Sequence, residues 1–174
     1  FKNPSNKILS FILSLASGLM IAVVCFELVP EATNISNIPT AILGIIAGII
    51  MMIFCDIFVE KKFNNKKIKG NSLLKTGIVV SIGLAIHNIP EGLAIGTGFE
   101  ASMKLGYSLA IAIAIHDIPE GISMAAPMKK GGLKSEKILF YVILSGVTTG
   151  LGAFVGAIVG NISQKVIAVC LALA

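Results

Sequence analysis

The chain of 174 residues is 55% hydrophobic and only 13% charged, with a mean hydropathy of +0.92, whereas a soluble domain carries roughly 25% charged residues. This composition excludes an ordinary water-soluble domain and predicts a polytopic membrane protein. The net charge of +5 comes entirely from lysine against acid, with no arginine in the chain, and the placement of those lysines argues for membrane topology rather than nucleic-acid binding.

A bilayer core of about 30 Å takes roughly 20 apolar residues per spanning helix, and the chain divides into runs of that length. Spans are predicted at 8–29, 40–59, 76–98, 106–127 and 138–160, and a sixth apolar run starts near Val166. The fold class read from this is an all-α helix bundle, one transmembrane domain over 1–174, with a lysine-rich loop at 60–75. The polar start at Phe1 and the short last run lead us to expect a longer polypeptide with helices beyond both ends. A signal peptide is the weaker reading of the first run, which is long enough to span and is followed by no small-residue cleavage site.

Alternating the loops between the two sides puts Lys2, Lys7, Lys61, Lys62, Lys66, Lys67, Lys69, Lys75, Lys129, Lys130, Lys134 and Lys137 on one side, and Lys104 and Lys165 on the other. Positive charge collects on the cytoplasmic side of membrane proteins, so the lysine-rich loops are expected there. The use of lysine without arginine, with abundant Ile and Asn, suggests a prokaryotic source and hence a cytoplasmic membrane.

The third and fourth spans each carry a polar hexapeptide, His-Asn-Ile-Pro-Glu-Gly at 87–92 and His-Asp-Ile-Pro-Glu-Gly at 116–121. At 1.5 Å per residue both histidines fall about 15 Å into their spans, near the midplane. The two helices are antiparallel neighbours, so the motifs meet at one level. His87 and Glu91, and His116 and Glu120, are four residues apart; Asn88 and Glu91, and Asp117 and Glu120, are three apart. Each helix thus offers a nitrogen and a carboxylate on one stripe. Pro90 and Pro119 leave the carbonyls of Ile86 and Ile115 without their usual partners and are expected to kink the helices.

An unpaired charge at this depth costs several kcal/mol, and no lysine is placed to pair with Glu91, Asp117 or Glu120. Imidazole and carboxylate donors without a basic partner fit a divalent cation, with Zn²⁺, Fe²⁺, Mn²⁺ and Ni²⁺ all compatible. Two carboxylates from different helices also suit a pair of metals. The competing readings are helix-to-helix hydrogen bonds that only hold the bundle together, and a proton relay without metal.

The pair of hexapeptides, preceded by a lysine-rich loop and by "LASGLMIAVVCFELVPEA" in the first span, resembles the ZIP (Zrt-/Irt-like) family of metal transporters in its bacterial, broad-specificity form. The resemblance covers the family's second helix into its seventh, out of eight. It implies uptake of divalent metal, zinc foremost, into the cytoplasm by alternating access around a midplane site, and a homodimer. Carried over by motif position, His87, Glu91 and Glu120 hold the main metal; Asn88 and Asp117 join the glutamates around a second ion; His116 and Met20 stand at positions where the family varies its ligands. One departure is Thr149 in the sixth helix, where many relatives carry a metal-binding Glu.

Glu27, Glu31 and Glu100 fall at the outer ends of spans and form a candidate acidic entrance, while Asp56 and Glu60 lie towards the lysine-rich side and form a candidate exit. Cys25, Cys55 and Cys170 are isolated in apolar runs and read as packing residues. Gly44 and Gly48, Gly92 and Gly96, Gly146 and Gly150, and Gly152, Gly156 and Gly160 repeat a spacing that lets helices approach closely. From other function classes, an intramembrane metallohydrolase and a metal-binding protein that does not transport remain as alternatives. The hydrolase is disfavoured because His-x-x-x-Glu interrupted by proline is not the H-E-x-x-H arrangement.

Overall fold

A computed structural model describes residues 5–64 and 72–174. Lys2, Lys66, Lys67 and Lys69 lie outside the described residues. Helix α1, Asn6–Val23, passes through a π turn at Val24–Leu28 into α2, Val29–Ile35; α3 covers Ile38–Val59 and ends in a second π turn at Glu60–Asn64; α4, α5, α6 and α7 cover Ser72–Ala101, Met103–Lys130, Ser135–Gly160 and Gln164–Leu173. No strand occurs among the described residues.

The helix starts follow from local chemistry. Side chains of Ser5, Asn37, Ser102 and Ser163 each accept a hydrogen bond from the amide three residues on, which satisfies donors that the first turn leaves free. Helix α5 ends at Lys129 and Lys130, where Gly132 supplies the positive φ of +87° that turns the chain into α6. The Lys129 ammonium donates to Ser135 Oγ across that turn at 2.8 Å.

Five helical stretches are long and apolar enough to cross a membrane: Ser17–Ile35, Ile38–Lys62, Ser72–Ala101, Met103–Lys130 and Ser135–Gly160; α7 is shorter, at ten residues. The largest departure from the sequence reading is at the first span, which continues past Pro30 to Ile35. The reason is visible in the ladder. Pro30 has no N–H to donate, and the amide of Val29 bonds to the carbonyl of Val24, five residues back; the wider π turn absorbs the proline instead of ending the helix. Helices α4 and α5 also run through Pro90 and Pro119 without a break in helical assignment. Large apolar side chains such as Ile49 and Phe54 on α3, and Ile143 and Phe154 on α6, are exposed, as lipid-facing residues of a spanning bundle would be.

Helix α4 is the centre of the bundle. It packs along α6 and α5, while α1 packs on α5 and α3 on α7. The α4–α6 contact is set by glycine. A Cβ on Gly92 would run into the carbonyl oxygen of Thr149 and come within 2.8 Å of the Ala153 nitrogen; one on Gly156 would lie 3.0 Å from the Leu93 Cα. Gly44 and Gly48 on α3 are likewise closed by the backbone and Ala172 of α7. Gly146 and Gly150 have the same spacing but face open space, so they do not form the close contact the pattern suggests. Their side of α6 points away from α4.

Candidate metal centre

The two hexapeptides do meet. Both motif glutamates are buried, as are Asn88 and His116, and the antiparallel α4 and α5 bring Glu91 of the first motif onto His116 of the second. His116 Nε2 donates to Glu91 Oε1 at 3.0 Å, and His87 Nε2 approaches the same oxygen at 3.3 Å from its own helix, four residues back. One carboxylate oxygen therefore sits between two imidazoles. Asp117 Oδ1 lies 3.7 Å from His116 Nε2.

Two sets of donors result, His87 with Glu91 and Glu120, and Glu91 with His116 and Asp117; within each set the donor atoms lie within 4.8 Å of one another. Donors around a four-coordinate zinc at about 2.0–2.2 Å sit roughly 3.3–3.6 Å apart. A contraction of about 1 Å, within the reach of side-chain rotation, would close either set. Glu91 belongs to both sets and is the one residue that could bridge two ions.

The polar accounting favours a cation over a network of hydrogen bonds. Glu91 Oε2, Glu120 Oε2, Asp117 Oδ1, Asn88 Oδ1, His116 Nδ1 and Thr149 Oγ1 are all buried with no hydrogen-bond partner among the described residues. Buried polar groups are nearly always satisfied, and the carboxylate and amide oxygens of the two motifs among these atoms have acceptor capacity in common. Such acceptors suit a divalent cation. No lysine figures among the ion pairs of the site, which are all histidine with carboxylate.

Helix α6 forms the third wall. Asn88 Nδ2 donates to the carbonyl of Ser145 at 3.1 Å and to its hydroxyl at 3.4 Å, which turns the amide so that its oxygen is the atom left free. Ser145 escaped the sequence reading because a serine ahead of a glycine in an apolar run carries no distinguishing signal; only the fold brings it to a motif 57 residues away. Thr149, one turn further along α6, packs its carbonyl against Gly92 and has a buried hydroxyl with no hydrogen-bond partner among the described residues.

Of the other candidates, Met20 is half-buried on α1, which packs on α5. Glu27 is half-buried and accepts from Ser108 Oγ on α5 at 2.7 Å. Glu31 is half-buried on α2, and Glu100 is exposed at the end of α4, where its side chain lies against Gly160. Asp56 and Glu60 line a groove between α3 and α4 together with Lys75 and Thr76, well along α4 from the histidine cluster and at the lysine-rich end. The three cysteines are free.

Residues 62–174 match the family model described as ZIP Zinc transporter. The chain belongs to the ZIP family. The chain is also similar to individual zinc transporters. A zinc transporter ZupT of Corynebacterium aurimucosum is 32% identical over 172 residues, covering 89% of this chain and 64% of its own length. The ZupT of Streptococcus mutans is 31% identical over 171 residues, covering 89% and 65%. Over a shorter stretch of 97 residues, the ZupT of Clostridium perfringens reaches 41% identity, covering 56% of this chain and 34% of its own. The chain thus spans just under two thirds of the first two ZIP relatives. The ZIP match contains both hexapeptides and most of the lysine-rich loop that precedes them, and the two longer alignments take the similarity over most of the chain.

Replacing His116, the more deeply buried of the two imidazoles, would leave Glu91 with a single nitrogen neighbour. His116→Ala is expected to weaken zinc binding at least tenfold, roughly 1.4 kcal/mol or more, by calorimetry on the detergent-solubilised full-length protein. His87→Ala should weaken it too.

Proposed function

We propose that the protein moves divalent transition metal, zinc foremost, across the cytoplasmic membrane into the cytoplasm. The observation that carries the reading is the meeting of the duplicated His-x-x-Pro-Glu motif at Glu91, with a shell of buried acceptor atoms that no protein donor satisfies. His87, Glu91, His116 and Glu120 hold the main ion, Asp117 and Asn88 lie beside it, and Met20 stands on the neighbouring helix as an added soft donor. The ZIP relatives are zinc transporters by name, which supports zinc over iron or manganese among ions that the same N/O donor set accepts.

Transport proceeds by alternating access around this fixed-depth site. Metal sheds water for imidazole and carboxylate, and leaves when the helices rearrange. The lysine-rich end is cytoplasmic on the positive-inside rule, which makes the groove of Asp56 and Glu60 the exit and the end bearing Glu27, Glu31 and Glu100 the entrance.

The test is zinc influx into liposomes carrying the full-length protein. Saturable influx that His87→Ala and Glu120→Ala both abolish supports transport through this site. Tight binding with no influx in any version would replace it with a storage or sensing role, and cleavage of a membrane substrate would replace it with a hydrolase.

Thr149 gives a second expectation. A threonine hydroxyl is a neutral, weak donor for a hard cation where a glutamate would bring charge. The native protein is therefore expected to bind one zinc tightly, and Thr149→Glu to raise the stoichiometry towards two, as read by metal analysis after dialysis. A native stoichiometry of two would contradict this assignment.

A further inference from the structure

The end of the bundle opposite the lysine-rich one holds a contact that the metal cluster does not use. The π turn Val24–Leu28 carries Glu27 towards α5, where Oε1 accepts from Ser108 Oγ at 2.7 Å. That is the length of a charge-assisted hydroxyl-to-carboxylate bond. The other oxygen, Oε2, is buried and has no hydrogen-bond partner among the described residues. Ser108 lies on the same helix as His116 and eight residues from it, about 12 Å along α5. The bond therefore ties the α1–α2 run to the helix that carries half of the metal cluster, one step outward from that cluster. π turns in otherwise α-helical segments tend to mark functional positions, and this one sets the direction of the only acid in its turn.

A half-satisfied carboxylate held by a serine is poised for exchange. The hydroxyl is a neutral donor that a divalent cation outcompetes, and releasing it removes this tie between α5 and the α1–α2 run. We propose that Ser108 is a gating residue: its hydroxyl holds Glu27 and keeps the outer approach closed, and an arriving divalent cation opens it by taking Glu27 from the serine. This rests on the transport reading above and adds to it a residue and a step. Glu27 supplies the charge that attracts the ion, and Ser108 supplies the restraint that the ion must break.

The two roles separate in a pair of variants. Glu27→Gln keeps a carbonyl oxygen for Ser108 but removes the charge; Ser108→Ala removes the bond but keeps the carboxylate. In liposomes carrying the full-length protein, Glu27→Gln is expected to raise the zinc concentration for half-maximal influx fivefold or more with the maximal rate within twofold of native. Ser108→Ala is expected to leave that concentration at or below the native value and to increase influx at low zinc, while Ser108→Thr, which keeps the hydroxyl, behaves as native. The opposite pattern, a native-like Glu27→Gln and an impaired Ser108→Ala, would overturn the proposal in favour of a plain structural tether. Equal impairment of both, or no effect of either, would overturn it as well. Absence of zinc influx in the folded native protein would instead defeat the transport reading itself, so the two failures are distinguishable.

Discussion

Glu91→Ala is expected to abolish zinc uptake, with a loss of at least 100-fold in the rate at limiting zinc. The expectation follows from its position. A single oxygen of Glu91 is shared by His116 at 3.0 Å and His87 at 3.3 Å, and Glu91 alone belongs to both sets of metal-type donors. Removing it takes the shared carboxylate from both sets at once and leaves each with one imidazole and one remaining acid, His87 with Glu120 and His116 with Asp117. A hundredfold loss corresponds to about 2.7 kcal/mol, no more than the central ligand of a desolvated site should be worth. The measurement is growth of a zinc-uptake-deficient bacterium at low zinc, with the full-length variant quantified in the membrane so that loss of protein is not mistaken for loss of function. Glu136→Ala, which removes an exposed acid in the first turn of α6, should grow as native.

The second large effect concerns assembly. Gly92 and Gly96 lie against Gly152, Ala153 and Gly156 at backbone contact distance: a Cβ on Gly96 would come within 2.6 Å of the Ala157 nitrogen, and one on Gly152 would lie 3.0 Å from the Gly92 Cα. These neighbours are main-chain atoms, which cannot rotate out of the way. The double variant Gly92→Ala, Gly96→Ala must push α6 off α4, and overpacking of this kind costs about 1–3 kcal/mol per site. It is expected to lower the thermal unfolding midpoint in detergent by several degrees or to prevent recovery of monodisperse protein. Asn88 would also lose its bond to Ser145, so any folded fraction should bind zinc more weakly. Gly146→Ala and Gly150→Ala face open space and serve as the contrast; both should be neutral in stability.

That contrast also shows where sequence reasoning stops. The small-x-x-x-small spacing is the same for Gly92 and Gly96 as for Gly146 and Gly150, and nothing local says which pair meets a partner; the choice is made by the rotation of α6 about its axis. The meeting of the two motifs was more legible. The repeat of His, Pro and Glu at fixed offsets on two spans of matched depth points to His87, Glu91, His116 and Glu120 coming together, because helical periodicity and bilayer thickness together determine which side chains share a level. What periodicity could not supply was the link between motifs, with His116 closer than His87 to Glu91. The acids at the outer end divided in the same way. Glu27, Glu31 and Glu100 look alike as acids near helix ends, yet among the described residues Glu27 is the one of the three that turns onto a serine, 81 residues away, because it lies in the π turn Val24–Leu28 just ahead of Pro30. An i→i−5 bond forced by a proline changes the helix face by about one residue's rotation, and a strict 3.6-residue period misses that shift.

The most direct test of the central claim is the zinc-edge X-ray absorption spectrum of the zinc-loaded full-length protein, recorded beside that of Glu91→Ala. The site described here predicts a first shell of nitrogen and oxygen at about 2.0–2.1 Å, joined by no more than one sulfur, from Met20, with the outer-shell scattering of imidazole, and a changed or absent signal in the variant. A shell containing no imidazole, or a spectrum that Glu91→Ala leaves untouched, would place the metal elsewhere and contradict the account.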